Sequence, residues 1–344
     1  MAKHTVIGLD LAKNSNALVA FSPAGKELWR KTLSRSKLQS FLARQQCSVV
    51  VMEACSGAHF IGQKVQEMGH TAVLYPPKHV KGYLRGQKND YNDARALVEA
   101  HQHGHLRPVP IKTVEQQDRA LILLQRKQLK EEQVRQGNQI RAMLAERGIV
   151  LPTGVSALRT GLPRVLEDAE NGLTEVVRHI LTQAYERFLA VIKEQQWYDQ
   201  KLNEQARENE VCRRLCGAPG MGPIVSNELL SWMGDGQQFK CGRDASAALG
   251  LVPRQYSTGG REVLLGITKK GNRHVRSQVI NGAQAVLQYA ARKDDALSQW
   301  VMRIKAKHGH NKAVVALANK LVRIAWVIIA RGECYQPRLS NPTA

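Results

Sequence analysis

Hydrophobic and polar positions fall into three successive patterns along the chain. In the first, short apolar runs predict strands at Thr5–Leu11, Ser48–Met52 and Thr71–Tyr75. Ala17–Phe21 and Lys26–Leu33 flank a Ser22–Gly25 turn and read as an antiparallel pair. Ser36–Gln46, Ala58–Met68 and Lys88–His101 carry helical periodicity. The second pattern is long and helical. Val114–Arg147 holds Leu121, Leu124, Ile140 and Leu144 among dense charge, and Gly148 and Pro152 stop it. A loop-like region with Gly154, Gly161 and Pro163 follows. From Leu173 to Val211, apolar residues including Leu181, Tyr185, Phe188 and Ile192 recur every three or four positions, as an interhelical seam requires. This is a helical hairpin or coiled coil serving self-association, or a monomeric helical core with the same pattern. The third pattern alternates helices (Ile224–Trp232, His274–Arg292, Asn311–Ala330) with glycine-rich turns.

Composition sharpens this outline. At 344 residues with 43% apolar positions and 12 prolines, the chain has ample core and is not disordered. Fifty Lys+Arg stand against 29 Asp+Glu, a net charge of +21, which calls for a polyanionic partner. The charge is uneven. Residues 1–110 hold 15 basic and 7 acidic side chains, residues 111–210 hold 15 of each, and residues 211–344 hold 20 and 7. Two basic ends on a neutral spacer predict nucleic-acid binding at both ends. The apolar N-terminal segment is too brief for a signal peptide. Lys320 and Arg323 interrupt Ala313–Ala330, which argues against a membrane span. Six scattered cysteines without a CxxC pair suit reduced thiols in a cytoplasmic protein.

Three strands in a meander, then strands separated by helices, is the order of a ribonuclease-H-like mixed sheet. The acids fit that order. Asp10 lies in an apolar strand, Glu53 ends another, and Asp90 and Asp93 share one helix face. Buried carboxylates are costly unless compensated, and four converging on one spot call for divalent metal. Hard oxygen donors select Mg²⁺, or Mn²⁺, and paired ions of this kind serve phosphodiester chemistry. Taken singly, each acid has a blander role as a turn or helix-capping residue. His101, His103 and His105 alternate without a partner cluster, which reads as an exposed helix end rather than a metal site.

The C-terminal stretch reads as mainly helical. Leu215–Pro223 holds a tight turn whose Gly220 and Gly222 expose backbone N–H groups to a phosphate, and it resembles a helix-hairpin-helix. Further on, Ser257-Thr258-Gly259-Gly260 is surrounded in sequence by Arg254, Arg261, Lys269, Lys270, Arg273 and Arg276. Asn272 is suited to cap the following helix. The loop predicts a phosphate site, and a nucleophilic hydroxyl is the bolder reading.

Together, GLDLAK around Asp10, MEACSGAHF from Glu53, KNDYNDARAL, GAPGMGP, GLVPRQYSTGG and GITKKGN resemble the DEDD insertion-sequence transposases, over nearly the whole chain and in the family's order. The resemblance implies a RuvC-like domain at 1–110 with Asp10, Glu53, Asp90 and Asp93 as Mg²⁺ ligands. It implies a coiled-coil spacer at 111–210 used in dimerisation and a transposase domain at 211–335 with a catalytic serine, leaving a tail at 336–344. It implies a structured bridge RNA that pairs with donor and target DNA, phosphoserine-linked strand ends, and a composite site between protomers of a tetramer in the bacterial cytoplasm or nucleoid. The family shows Ser immediately before Gly in this loop, whereas Thr258 occupies that place here. Ser257 is preferred because a primary hydroxyl is less hindered than a β-branched one. The rival reading is a RuvC-like endonuclease or junction resolvase acting by hydrolysis, in which Ser257 is dispensable.

Overall fold

A computed structural model describes residues 4–87 and 89–337. The chain divides into two compact units: the segment through Gln117 together with Gly234–Lys240, and Asp118–Met233 together with the chain from Cys241. The spacer and the C-terminal region thus lie in one unit, and a short stretch of the latter belongs to the first.

The first unit is built on a mixed sheet. β1 (Val6–Asp10), β2 (Ser15–Phe21) and β3 (Glu27–Ser34) form an antiparallel meander, while β4 (Val49–Glu53) and β5 (Thr71–Tyr75) run parallel to β1, giving the order β3-β2-β1-β4-β5. α1 (Arg35–Leu42) and α2 (Ala58–Glu67) connect the later strands; a turn of helix α3 (Pro77–Val80) and the longer α4 (Asp90–His103) follow β5. Strand alternation sorts the side chains between the two faces. Ile7, Leu9, Val50 and Met52 pack with Leu38 and Leu42 of α1 and Ile61 and Val65 of α2. Val6, Val51 and Tyr75 pack with Ala96, Leu97 and Val98 of α4. Each such aliphatic side chain, fully removed from water, contributes ~1.5–3 kcal/mol.

In the second unit, α5 (Val114–Ala145) and α7 (Glu175–Glu208) are the two long helices the periodicity predicts. Ile140, Leu144, Leu181, Phe188 and Ile192 are buried together, whereas Leu121, Leu124 and Ile180 remain exposed. The region expected as a loop around Gly154, Gly161 and Pro163 is instead mostly helix, α6 (Val155–Glu167). Leu158 and Leu162 join the α5–α7 core, and their burial outweighs the poor propensity of Gly161 and Pro163. Proline cannot donate to the carbonyl four residues back. That carbonyl, on Arg159, accepts from the Tyr185 hydroxyl at 2.9 Å instead. At Gly161 a Cβ would lie 2.8 Å from Leu151 Cδ2, so the glycine makes room for that side chain.

α8 (Glu210–Cys216), α9 (Pro223–Met233) and α10 (Gly242–Ala248) precede a two-stranded ribbon of β6 (Pro253–Gln255) and β7 (Leu264–Ile267). α11 (Arg273–Tyr289), α12 (Ala296–His308) and α13 (His310–Arg331) complete the unit. By length and composition α13 is apolar enough to cross a membrane. Here it is the core helix, packed on α10, α11 and α12, with Leu317, Leu321, Val322 and Ala325 almost fully buried.

Candidate active site

Asp10 and Glu53 end β1 and β4. The parallel register pairs Leu9 with Met52, so one residue further the two acids stand side by side at the strand ends. Alternation turns them toward the α4 face. α4 is held against that face at a contact only glycine permits. A Cβ on Gly8 would lie 2.0 Å from the Ala94 carbonyl oxygen and 2.9 Å from Val98 Cγ2. The helix starts at Asn89, whose side chain accepts from the Asn92 N–H at 2.8 Å. Asp90 and Asp93 therefore sit in the first turn, where the free amides favour negative charge.

The result is one cluster. Carboxylate oxygens of Asp10, Asp90 and Asp93 lie within 4.8 Å of one another. Glu53 stands beside them: burial, and then the negative charge of Asp93, raise its carboxyl above the ordinary range, while Lys81 opposes the shift. Cys55 feels the same field, its thiol pushed up by burial and then by Glu53. Like charges this close are unfavourable unless a cation shares the site. The HxHxH stretch takes no part. His103 and His105 are exposed, and His101 is half-buried beside the Tyr75 hydroxyl, 3.0 Å from its Nδ1.

Where the sequence predicts a loop, the serine-bearing segment is a β-hairpin. Gly259 (φ 56°) and Gly260 (φ 80°) form its two-residue tip, and Arg261 N–H donates to the Thr258 carbonyl at 3.1 Å. Two positive φ angles define the turn that matches strand twist, and the glycine pair was the available signal. Ser257 lies one residue before the turn, exposed, with its Oγ accepting from Gln255 Nε2 at 3.1 Å. That amide is a donor and does not take the hydroxyl proton.

Close backbone packing anchors the hairpin. A Cβ on Gly250 would lie 2.3 Å from the Lys270 carbonyl oxygen, and one on Gly271 would lie 2.0 Å from that of Ala248. Lys269 is the one described non-glycine residue with positive φ (54°), and its N–H donates to Gly250 at 3.1 Å. Asn272 caps α11, as its position predicts, accepting from His274 and Val275. Arg254, Arg261, Lys269, Lys270 and Arg273 are exposed around this platform. Arg276 departs from the expectation that it meets nucleic acid. It is 8% exposed, and its Nη1 donates to the carbonyls of Leu249 (3.1 Å) and Lys270 (3.0 Å), tying the two loops together. Local sequence could not reveal this, because the carbonyls it serves belong to other segments.

The glycine-rich turn between α8 and α9 is also partly structural. Gly220 (φ 71°) abuts α11, where a Cβ would lie 2.7 Å from the Gly282 carbonyl oxygen. Gly222 is exposed with open space around it. Of the two glycines expected to offer N–H groups, Gly220 is partly buried against α11 and Gly222 is exposed.

Comparison with known proteins covers both sites. A family model described as "Transposase", of the DEDD type, matches residues 7–148, which include all four acids. A second, described as "Transposase IS116/IS110/IS902 family", matches residues 212–298, which include the hairpin. The chain is 37% identical over 331 residues to the transposase for insertion sequence element IS1111A of Coxiella burnetii, covering 96% of this chain and 91% of that one. It is 34% identical over 335 residues to the transposase for IS1328 of Yersinia enterocolitica, covering 97% and 99%. A probable family 20 transposase of Pseudomonas aeruginosa is 33% identical over 332 residues, covering 96% and 98%. With acids and hairpin both inside matched segments and full-length relatives above 30% identity, the chain belongs to the IS116/IS110/IS902 family of insertion-sequence transposases.

Proposed function

We propose that this transposase is a RuvC-like, Mg²⁺-dependent recombinase, guided by a structured bridge RNA, that cuts and exchanges donor and target DNA strands through a phosphoserine link. The observation that carries the reading is the gathering of Asp10, Asp90 and Asp93 within 4.8 Å, with Glu53 beside them. An all-carboxylate donor set fits Mg²⁺ or Mn²⁺, so these four residues would hold the ion. When bound, such an ion stabilises charge on a phosphodiester and on the oxygens entering and leaving it.

The chain's own residues supply the rest. Ser257 Oγ forms a bond to phosphorus, the bond from phosphorus to one strand end breaks, and that end departs as an alcohol carrying the proton. A hydroxyl of the exchanged strand then attacks the phosphoserine and restores Ser257. Arg254, Arg261, Lys269, Lys270 and Arg273 are placed to neutralise phosphates around the hairpin, and Gly222 offers an accessible N–H group. The exposed Leu121, Leu124 and Ile180 support self-association, as a dimer and then a tetramer, through the helical spacer.

The test expresses the protein with its element's flanking noncoding DNA and a target. Mass spectrometry then looks for a nucleotide on the GLVPRQYSTGG peptide. An adduct on Ser257 that requires both the RNA and Asp10 supports the reading, and one on Thr258 moves the nucleophile by one residue. Cleavage without any adduct, under conditions that retain a control adduct, replaces it with hydrolysis by the acidic site alone.

A further inference from the structure

The second unit carries a groove that belongs neither to the acidic cluster nor to the serine hairpin. It has a volume of about 850 Å³ and lies between α10, one stripe of α13 and the Glu333–Pro337 segment that follows it. Lys320, Arg323, Ile324, Val327 and Arg331 all line it. Their spacing of three, four, seven and eleven residues is that of a single helix face. Arg243 faces this stripe from α10. The approach is close because Gly242 has no side chain: a Cβ there would lie 3.0 Å from Arg323 Cα.

The chemistry of the lining is specific. Four cationic side chains share the groove with one carboxylate, Glu333. Arg243 and Arg323 are exposed and make no ion pair among the described residues. Arg331 lies over the Trp326 ring, 5.4 Å from its centroid, and Lys320 over that of Trp300 at 4.2 Å. Half-buried Tyr335 and the partly buried Ile324 and Val327 add apolar surface between the charges. A bare anion needs the cations alone, and an apolar helix needs the aliphatic surface alone. Cations alternating with aromatic and aliphatic surface suit an unpaired polynucleotide, whose phosphates and bases alternate in the same way. The volume is that of a ligand pocket, ~300–1,000 Å³, roomy enough for a nucleotide unit. Apart from Cys241, Gly242 and Arg243, the lining lies beyond residues 212–298, where the family model ends.

We infer that this groove is a binding subsite for an unpaired strand of nucleic acid, with phosphates on Arg243 and Arg323 and a base against Tyr335. The inference rests on the transposase reading for its class of partner, though not on the nucleophile or the metal. RNA and single-stranded DNA share the chemistry, and the assay separates them.

The experiment measures binding of fluorescent oligo(U) and oligo(dT) to the full-length protein across a salt series. It compares the wild type, an Arg243→Gln/Arg323→Gln double variant, and a Lys305→Gln/Lys307→Gln double variant with equal charge loss on the exposed end of α12. Losing two phosphate contacts should lower the slope of log affinity against log salt by about 1.4 and weaken binding at least ~10-fold at moderate salt. The α12 variant should stay near wild type. Preference for one oligonucleotide identifies the strand. Equal slopes in the wild type and the Arg variant overturn the inference, as does equal loss in both variants. An acidic protein segment as the true occupant would also give equal slopes. Ultraviolet crosslinking of wild-type protein covers the case of an unstable variant: a nucleotide on the Tyr335 peptide supports the site, and adducts confined to other peptides refute it. A failure here leaves the Asp10-dependent adduct on the hairpin peptide unaffected, so the two readings fall separately.

Discussion

Gly8→Ala is the most direct test of how the acidic site is assembled. The new methyl group would lie 2.0 Å from the Ala94 carbonyl oxygen, whereas ordinary contact begins near 3.4 Å. Its partner is backbone in the middle of a helix, so no side chain can swing aside. Relief requires α4 to move off β1 by about 1.4 Å, and Asp90 and Asp93 move with it. Overpacking of this kind costs ~1–3 kcal/mol, and a 1 Å misplacement of reacting groups costs ~10²-fold in rate. The assay pairs urea unfolding with strand cleavage on a DNA substrate at a temperature where every variant is folded. Val65→Ala serves as the control, because Val65 is buried on the opposite face of the sheet and its truncation costs a similar amount. Gly8→Ala should lose about two orders of magnitude in cleavage, and Val65→Ala should lose almost none. Wild-type cleavage by a folded Gly8→Ala protein would refute the claim that this contact positions the acids.

Three further outcomes follow from the second unit. Arg276→Met removes two hydrogen bonds from a charged donor, each ~1.5–3 kcal/mol, so urea unfolding should show a loss of about 3 kcal/mol or more; a loss below ~1 kcal/mol would return Arg276 to the surface-binding group. Gly282→Ala, whose Cβ would lie 2.2 Å from the Gly220 carbonyl oxygen, should destabilise by ~1–3 kcal/mol, while Gly266→Ala, in open space, should leave the melting temperature unchanged. Cys216, four residues after Cys212 on α8, is held below the ordinary thiol range chiefly by the Cys212 side chain. Its alkylation by iodoacetamide should therefore titrate well below the usual ~8.5, and Cys212→Ala should move the midpoint up. Since the folded value is depressed, the thiolate contributes stability above the ordinary range, and that contribution is lost as pH falls through the folded value.

The strands of the first unit could be read because β1 and β4 are unbroken apolar runs that each end in an acid. Asp90 and Asp93 announce a helix start by themselves. What joins them to Asp10, the approach of Gly8 to Ala94, spans more than eighty residues and leaves no local trace. The α6 helix was hidden by Gly161 and Pro163, whose local cost is overridden by the α5–α7 core and by a hydroxyl from Tyr185. The hairpin was hidden by its length, since strands of three and four residues carry too little alternation to register. Arg276 follows the same logic: a cation among cations reads as surface, and only the fold reveals the carbonyls it serves.

The first unit is discontinuous, since it includes Gly234–Lys240, which ends 123 residues after Gln117. This has a consequence in time. A ribosome adding ~5–20 residues per second needs roughly 6–25 s to pass from one segment to the other. During that interval the acid-bearing sheet has emerged without the segment that completes its unit. All five strands of that sheet precede Gln117, so the sheet can pair while the long helices are still being made, and a fragment ending at Gln117 keeps its strands but lacks the seven-residue segment. Limited proteolysis of chains arrested before and after Lys240 would show the segment's arrival as a gain in protection of the first unit around Gln116, beside which Gly234 lies.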